Sequence, residues 1–199
     1  KETLFSKETE FYETEAFLFC SLDISGIQKF IYTIASKNAL RTLRARSFYL
    51  EIMMEHIIDT LLERLELSRA NLIYSGGGHC YLLLANTQKT REVLNTFQKE
   101  LQSWFLKYFR TELFVAFGYS VCSGNTFRNI PEGSYANMFR QASAGISKSK
   151  LHRYTAEEII ALNQYRADDY TRECKVCKRI GQVDEEGVCP LCRKIEALS

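Results

Sequence analysis

The chain has 199 residues, with 26 Lys and Arg against 24 Asp and Glu, for a net charge of +2. Hydrophobic residues make up 46% and charged residues 25%, which excludes a disordered or fibrous chain and allows one ordinary domain with a small appendage. The longest apolar runs, such as residues 81–85, are far too short to cross a membrane.

Residues 1–16 are polar and acidic, lack the apolar stretch of a secretion signal, and are expected to be a leader or linker from a longer polypeptide. Residues 17–23 predict a buried strand ending on Asp23. Ser25-Gly26 marks a turn, and a short helix is expected over 27–36. Residues 40–66 predict a long amphipathic helix with Leu40, Leu43, Phe48, Leu50, Met54, Ile57, Ile58, Leu61 and Leu65 as its apolar stripe. Residues 71–74 and 79–85 read as two strands of a hairpin joined by Ser75-Gly76-Gly77-Gly78. A helix over 89–109, a strand over 113–122 and helices over 133–151 and 155–164 follow. Acidic, polar residues from Asp168 to Glu173 lead into a cysteine-rich segment. The order predicts an α+β fold of ferredoxin-like, palm-type topology: a sheet with antiparallel pairs, covered by helices. The palm is expected over residues 17–167 and a small module over 168–199.

Seven cysteines are present. Cys20, Cys80 and Cys122 sit in apolar, strand-like runs and read as buried structural thiols. Cys174-Lys-Val-Cys177 and Cys189-Pro-Leu-Cys192 form two C-x2-C knuckles. Four thiolates at that spacing close a tetrahedral zinc site with no position open for water, so the zinc is expected to be structural. Free thiols beside such a site point to the reducing cytoplasm.

Four further features could carry chemistry. Asp23, at a strand end, is followed by Ser25, Gly26 and Gln28 at the start of a helix, an arrangement suited to phosphate or Mg²⁺; a simple helix cap would look the same. Ser75, Gly76, Gly77 and Gly78 would let a backbone approach a ligand closely, although a flexible hairpin has the same composition. Lys37, Arg41, Arg44 and Arg46, and then Arg140, Lys148, Lys150 and Arg153, are local basic surpluses that suit phosphates or a solvated helix face. The three histidines form no arrangement that indicates a hydrolase; His56 and His152 read as surface residues, and His79 as a residue that fills the hairpin.

Taken together, Asp-Ile-Ser-Gly-Ile-Gln-Lys-Phe-Ile-Tyr (23–32), Leu-Arg-Ala-Arg-Ser-Phe-Tyr-Leu (43–50) and Tyr-Ser-Gly-Gly-Gly (74–78) resemble the large, polymerase-like signature subunit of type III CRISPR effector complexes, the Csm (III-A) branch in particular. The wider pattern resembles a GGDEF-type nucleotide-cyclase palm. The resemblance implies a parent with an HD nuclease domain that cleaves single-stranded DNA, a first palm, a zinc module, a second palm and a helical C-terminal domain. This chain matches the first palm and zinc module. The two palms of that family face each other and make cyclic oligoadenylates from ATP, with Mg²⁺ or Mn²⁺, when target RNA is bound.

In an active GGDEF hairpin two glycines precede two acids; aligned here, those positions are Gly78 and His79. Asp23 matches the remaining metal-binding carboxylate, and Lys150 a phosphate-contacting lysine. The expectation is a degenerate palm with no catalytic residues of its own. It would hold ATP through Asp23, Ser25, Gly26, Gln28, Ser75, Gly76, Gly77, Gly78 and Lys150, partnered by the second palm, other Csm subunits, and guide and target RNA. The alternative is a zinc-stapled scaffold that contacts RNA and neighbouring subunits without binding nucleotide.

Overall fold

The computed structural model describes residues 8–33, 39–164 and 172–198. In chain order the elements are α1 (Glu8–Glu13), β1 (Phe17–Ser25), α2 (Ile27–Tyr32), α3 (Ala39–Arg64), a 3-10 turn (Arg69–Asn71), β2 (Leu72–Gly76), β3 (His79–Ala85), α4 (Gln88–Phe109), β4 (Phe114–Cys122), α5 (Gly124–Phe127), α6 (Ser134–Leu151), α7 (Ala156–Gln164) and α8 (Pro190–Glu196). The strands form one sheet in the order β2-β3-β1-β4, antiparallel throughout. This is the ferredoxin-like palm topology expected from the sequence.

Side chains alternate along β1, and the two sets meet different helices. Leu18, Cys20, Leu22 and Ile24 enter the main core with Ile58 and Leu61 of α3 and Leu94, Phe97 and Phe105 of α4. Each fully buried Leu or Ile contributes about 1.5–3 kcal/mol relative to an exposed one. Phe19 turns to the opposite face, where Met138 and Ala142 of α6 cover it. α6 lies close on the sheet because two glycines meet: a methyl added at Gly118 of β4 would stand 2.0 Å from the Ala142 carbonyl oxygen, and one at Gly145 would stand 2.8 Å from Gly118 Cα.

Several details differ from expectation. β2 runs through Gly76, leaving Gly77 (φ 61°) and Gly78 (φ 80°) as a two-residue turn with both φ positive, a conformation that glycine adopts without strain. On α3, Leu40 (64% exposed) and Phe48 (49%) face solvent, and Thr42, Ala45 and Arg46 are buried instead. The first turns of α3 lie against α2 and α8, which accept small side chains and one guanidinium, so the apolar stripe begins at Leu50. α1, α5 and α8 lie outside the elements expected from the sequence; α5 starts at a Ser123–Thr126 capping box, and α8 has Pro190 in its first turn. Of the expected leader, residues 8–13 form α1, whose Tyr12 ring packs under Arg128.

The cysteine module has a small cluster of Cys174, Val176, Val188 and Cys192, yet its Ile195 (2% exposed) belongs to the main core. The two cores are therefore joined. The expected boundary at residues 167–168, with Asp168, lies outside the described residues, as do residues 34–36 and Lys37.

Candidate functional site

Register brings Asp23 of β1 opposite His79 of β3. His79 Nδ1 lies 3.3 Å from Asp23 Oδ1. Lys150, in the last turn of α6, places Nζ 2.7 Å from Asp23 Oδ2, and the Ser25 hydroxyl donates to the same oxygen at 3.4 Å. The hydrogen bond from His79, followed by that from Lys150, holds the Asp23 carboxyl down to about 2, against partial burial, which pushes it upward. Both carboxylate oxygens are thus occupied by the protein's own donors. Of the two lysines near this end of α6, Lys150 faces the sheet and Lys148 is exposed.

His79, read from the sequence as a residue that fills the hairpin, is a partner of Asp23. A carboxylate can only accept, so Nδ1 carries the proton in this pair, and Nε2 lies 3.3 Å from the Ser21 hydroxyl. The order Ser21–His79–Asp23 has the outline of a nucleophilic triad. Ser21 is 1% exposed, so no substrate reaches its hydroxyl and the chain of contacts is structural. The alternation of β1 puts Ser21 and Asp23 on one face, a period-2 signal that was available in the sequence; the partner strand's register was not.

The glycine hairpin borders a cavity of 330 Å³ on the α3 side, lined by Ile27, Leu50, Met54, Ser75 and Gly76–Gly78 and also by Glu51 and Glu55. Ser75 donates to Glu55 at 3.2 Å, and Arg69 pairs with Glu55 at 2.5 Å. No carboxylate stands at positions 78 and 79, yet α3 returns two acids to the hairpin. The Gly78 carbonyl accepts from Ile24 N–H at 2.8 Å, which ties the hairpin to β1. Gly77 has open space where a side chain would point. Gly26 (φ 92°) precedes α2, and Gln28 on α2 is exposed. The expected nucleotide residues therefore gather at one end of the sheet but on two sides of it: Asp23, Ser25 and Lys150 toward α6, and Ser75–Gly78 toward α3.

The basic windows divide similarly. Arg44, Arg140 and Lys148 are exposed. Arg153 stacks over Phe114 and donates to the Lys150 carbonyl at 3.1 Å. Arg46 is buried and unavailable to an external phosphate.

Cys174, Cys177, Cys189 and Cys192 converge, their sulfurs all within 4.8 Å of one another. Cys177 Sγ and Cys189 Sγ are 3.7 Å apart. Thiolates at about 2.3 Å from a tetrahedral ion stand about 3.8 Å apart, so the donor set fits a four-sulfur metal centre. The Cys189 N–H donates to Cys174 Sγ at 3.3 Å, the kind of outer contact that orients a ligating sulfur. Burial pushes the Cys80 thiol up to about 12 and the Cys122 thiol up to about 11, consistent with inert structural cysteines.

Comparison with known proteins follows this geometry. The family described as Csm1 subunit domain B matches residues 16–165. A relative from Enterococcus italicus, the CRISPR system single-strand-specific deoxyribonuclease Cas10/Csm1 (subtype III-A), is 45% identical over 196 residues, 98% of this chain and 26% of the relative. The crystal structure of a Csm1-Csm4 cassette in complex with cA3 superposes with a TM-score of 0.69 at 30% identity, covering 80% of this chain and 22% of that one. A Csm1-Csm4 cassette in complex with one ATP gives 0.67 at 31% identity, covering 77% and 21%. The chain spans about a quarter of the length of the proteins it matches. Among the described residues, no helix is long and apolar enough to cross a membrane.

Proposed function

From the fact that this chain belongs to the Csm1 subunit domain B family, we propose that it is the degenerate palm of a type III-A large subunit, holding ATP for cyclic oligoadenylate synthesis by a second palm. The observation that carries this reading is the state of Asp23: His79 and Lys150 engage its two oxygens, and Gly78 and His79 supply no second carboxylate beside it on the hairpin. A bound triphosphate would compete with Asp23 for Lys150, exchanging one charge-assisted contact for another. The hairpin glycines, at the same end of the sheet, would let the rest of the nucleotide approach the backbone. Attack by a ribose hydroxyl on an α-phosphate, which breaks the α–β phosphoanhydride and releases pyrophosphate, would be organised with Mg²⁺ or Mn²⁺ by the second palm. Solved relatives in complex with ATP and with cA3 support the ligand class.

In the same reading the four cysteines hold one structural zinc, the palm ends near residue 167, the parent carries a nuclease domain elsewhere, and the assembly works in the cytoplasm with other Csm subunits. The relatives solved as Csm1-Csm4 cassettes support that partnership. Guide and target RNA would meet the exposed cations, among them Arg44, Arg140 and Lys148.

The test is oligoadenylate synthesis by the assembled complex carrying Lys150→Met or Gly77→Asn. Asn tolerates the positive φ of Gly77 and fills the open space above it. Lys150→Met should reduce ATP affinity by roughly tenfold or more, the worth of one charged contact, and Gly77→Asn should reduce it by filling the space the nucleotide would use. Unchanged rates and ATP dependence in both would leave the scaffold reading, which predicts salt-sensitive RNA binding without nucleotide.

A further inference from the structure

We propose that the cysteine module braces α2 at both ends through Arg46 and Arg179, so that zinc occupancy sets the position of the helix that follows Asp23. This rests on the reading of the four cysteines as a zinc site; it does not require the neighbouring cavity to take a nucleotide.

The first arm is Arg46, 2% exposed on α3. Its guanidinium donates to the Phe30 carbonyl, and to the Thr33 carbonyl at 3.0 Å. These carbonyls close the last turn of α2, so Arg46 acts as a C-terminal cap. The same group lies 5.1 Å from the centre of the Phe30 ring. Its other nitrogen, Nη2, points at Cys192 Sγ at 3.8 Å. A buried cation requires an anionic neighbour. Among the described residues no carboxylate pairs with Arg46. Four thiolates around one Zn²⁺ leave the centre with net negative charge, and Cys192 turns that charge toward the guanidinium. Arg46 therefore answers to two needs at once: it balances the metal centre and it closes α2.

The second arm is Arg179, two residues beyond Cys177. It makes a bidentate pair with Glu112, Nε–Oε1 and Nη2–Oε2 both at 2.7 Å, and donates to the Tyr108 carbonyl at 2.9 Å. The Glu112 main-chain oxygen lies directly against Gly26 at the start of α2: a methyl added at Gly26 would stand 1.9 Å from it. The module thus fixes the corner between α4 and β4, and that corner fixes the start of α2. A six-residue helix has little stability of its own, so its order depends on such tertiary braces.

The experiment is amide hydrogen exchange over residues 24–33 of the zinc-loaded protein, before and after chelation, with Arg46→Met, Arg46→Lys and Arg179→Gln. Zinc content and the rate of zinc transfer to a chromogenic chelator are measured alongside. Chelation of the wild type should speed exchange over 24–33 by roughly tenfold while residues 134–146 of α6 hold their protection. Arg46→Met and Arg179→Gln should each release zinc roughly tenfold to a hundredfold faster, the usual effect of losing an outer-shell partner, and Arg46→Lys should recover part of the loss. The chelation arm needs no variant, so misfolding of Arg46→Met does not decide the outcome. Zinc-loaded protein whose 24–33 exchange is unmoved by chelation overturns this inference alone. Protein that carries no zinc overturns the zinc reading, and the inference with it.

Discussion

Replacing Asp23 with Asn removes one charge and keeps the side-chain shape, so it isolates the electrostatics at the end of the sheet. In the folded protein the carboxyl is lowered from 3.8 to about 2, chiefly by His79 and then by Lys150. A depression of that size corresponds to about 2.5 kcal/mol of stabilisation if taken whole. The Lys150 side chain is 37% exposed and that of Asp23 24%, so water screens the pair. Screening brings the expected loss at neutral pH to about 1–2 kcal/mol. For a chain of this length that lowers Tm by roughly 2–8 °C.

The sign of the pH dependence follows from the direction of the shift. A carboxyl depressed on folding stabilises fully above its unfolded value, near about 4, and the contribution disappears as pH falls through the folded value. Here that value is about 2. Urea denaturation of wild type and Asp23→Asn, followed by circular dichroism from pH 6 to pH 2, should show a gap that is open at pH 5 and narrows steadily below pH 4. A gap that stays constant down to pH 2, or Asp23→Asn as stable as wild type at pH 5, would refute the assigned network. A double-mutant cycle with Lys150→Met should be non-additive, because the two groups share the interaction.

Incubated with ATP or GTP and Mg²⁺ or Mn²⁺, the chain alone should form no phosphodiester product, and turnover that is lost on Asp23→Asn would overturn the reading of a degenerate site. Elemental analysis should give about one zinc per chain, lost on Cys177→Ser, since four thiolates close the coordination shell. Chelation should also lower the Tm of the palm, because Ile195 and Arg46 tie the module into its core; thermal melts with and without chelator test this. Gly145→Val should cost about 1–3 kcal/mol or more by forcing α6 off β4. The same variant should narrow the pH-dependent gap that reports Asp23, since Lys150 rides on that helix.

Much of this protein was legible in its sequence wherever the information is local. The short apolar run from residue 17 and the long amphipathic stretch from residue 40 specify their elements through local pattern alone. The glycine pair at 77–78 specifies the turn because few other residues adopt positive φ there. C-x2-C spacing specifies the sulfur cluster because each knuckle places its two thiols together before any tertiary contact forms. The juxtapositions that depend on strand register and helix docking were not legible. His79 reads as filler until the β1–β3 register sets it opposite Asp23, 56 residues away. Arg46 reads as one more cation in a basic window; only the docking of α3 against α2 and α8 buries it and turns it toward Cys192, 146 residues away. Lys150 reads as a phosphate ligand, and only the close seating of α6 on Gly118 gives it a carboxylate of its own. Spacing and periodicity report what the covalent chain holds near at hand; the partner of a charge is chosen by whichever distant surface the packed core brings beside it.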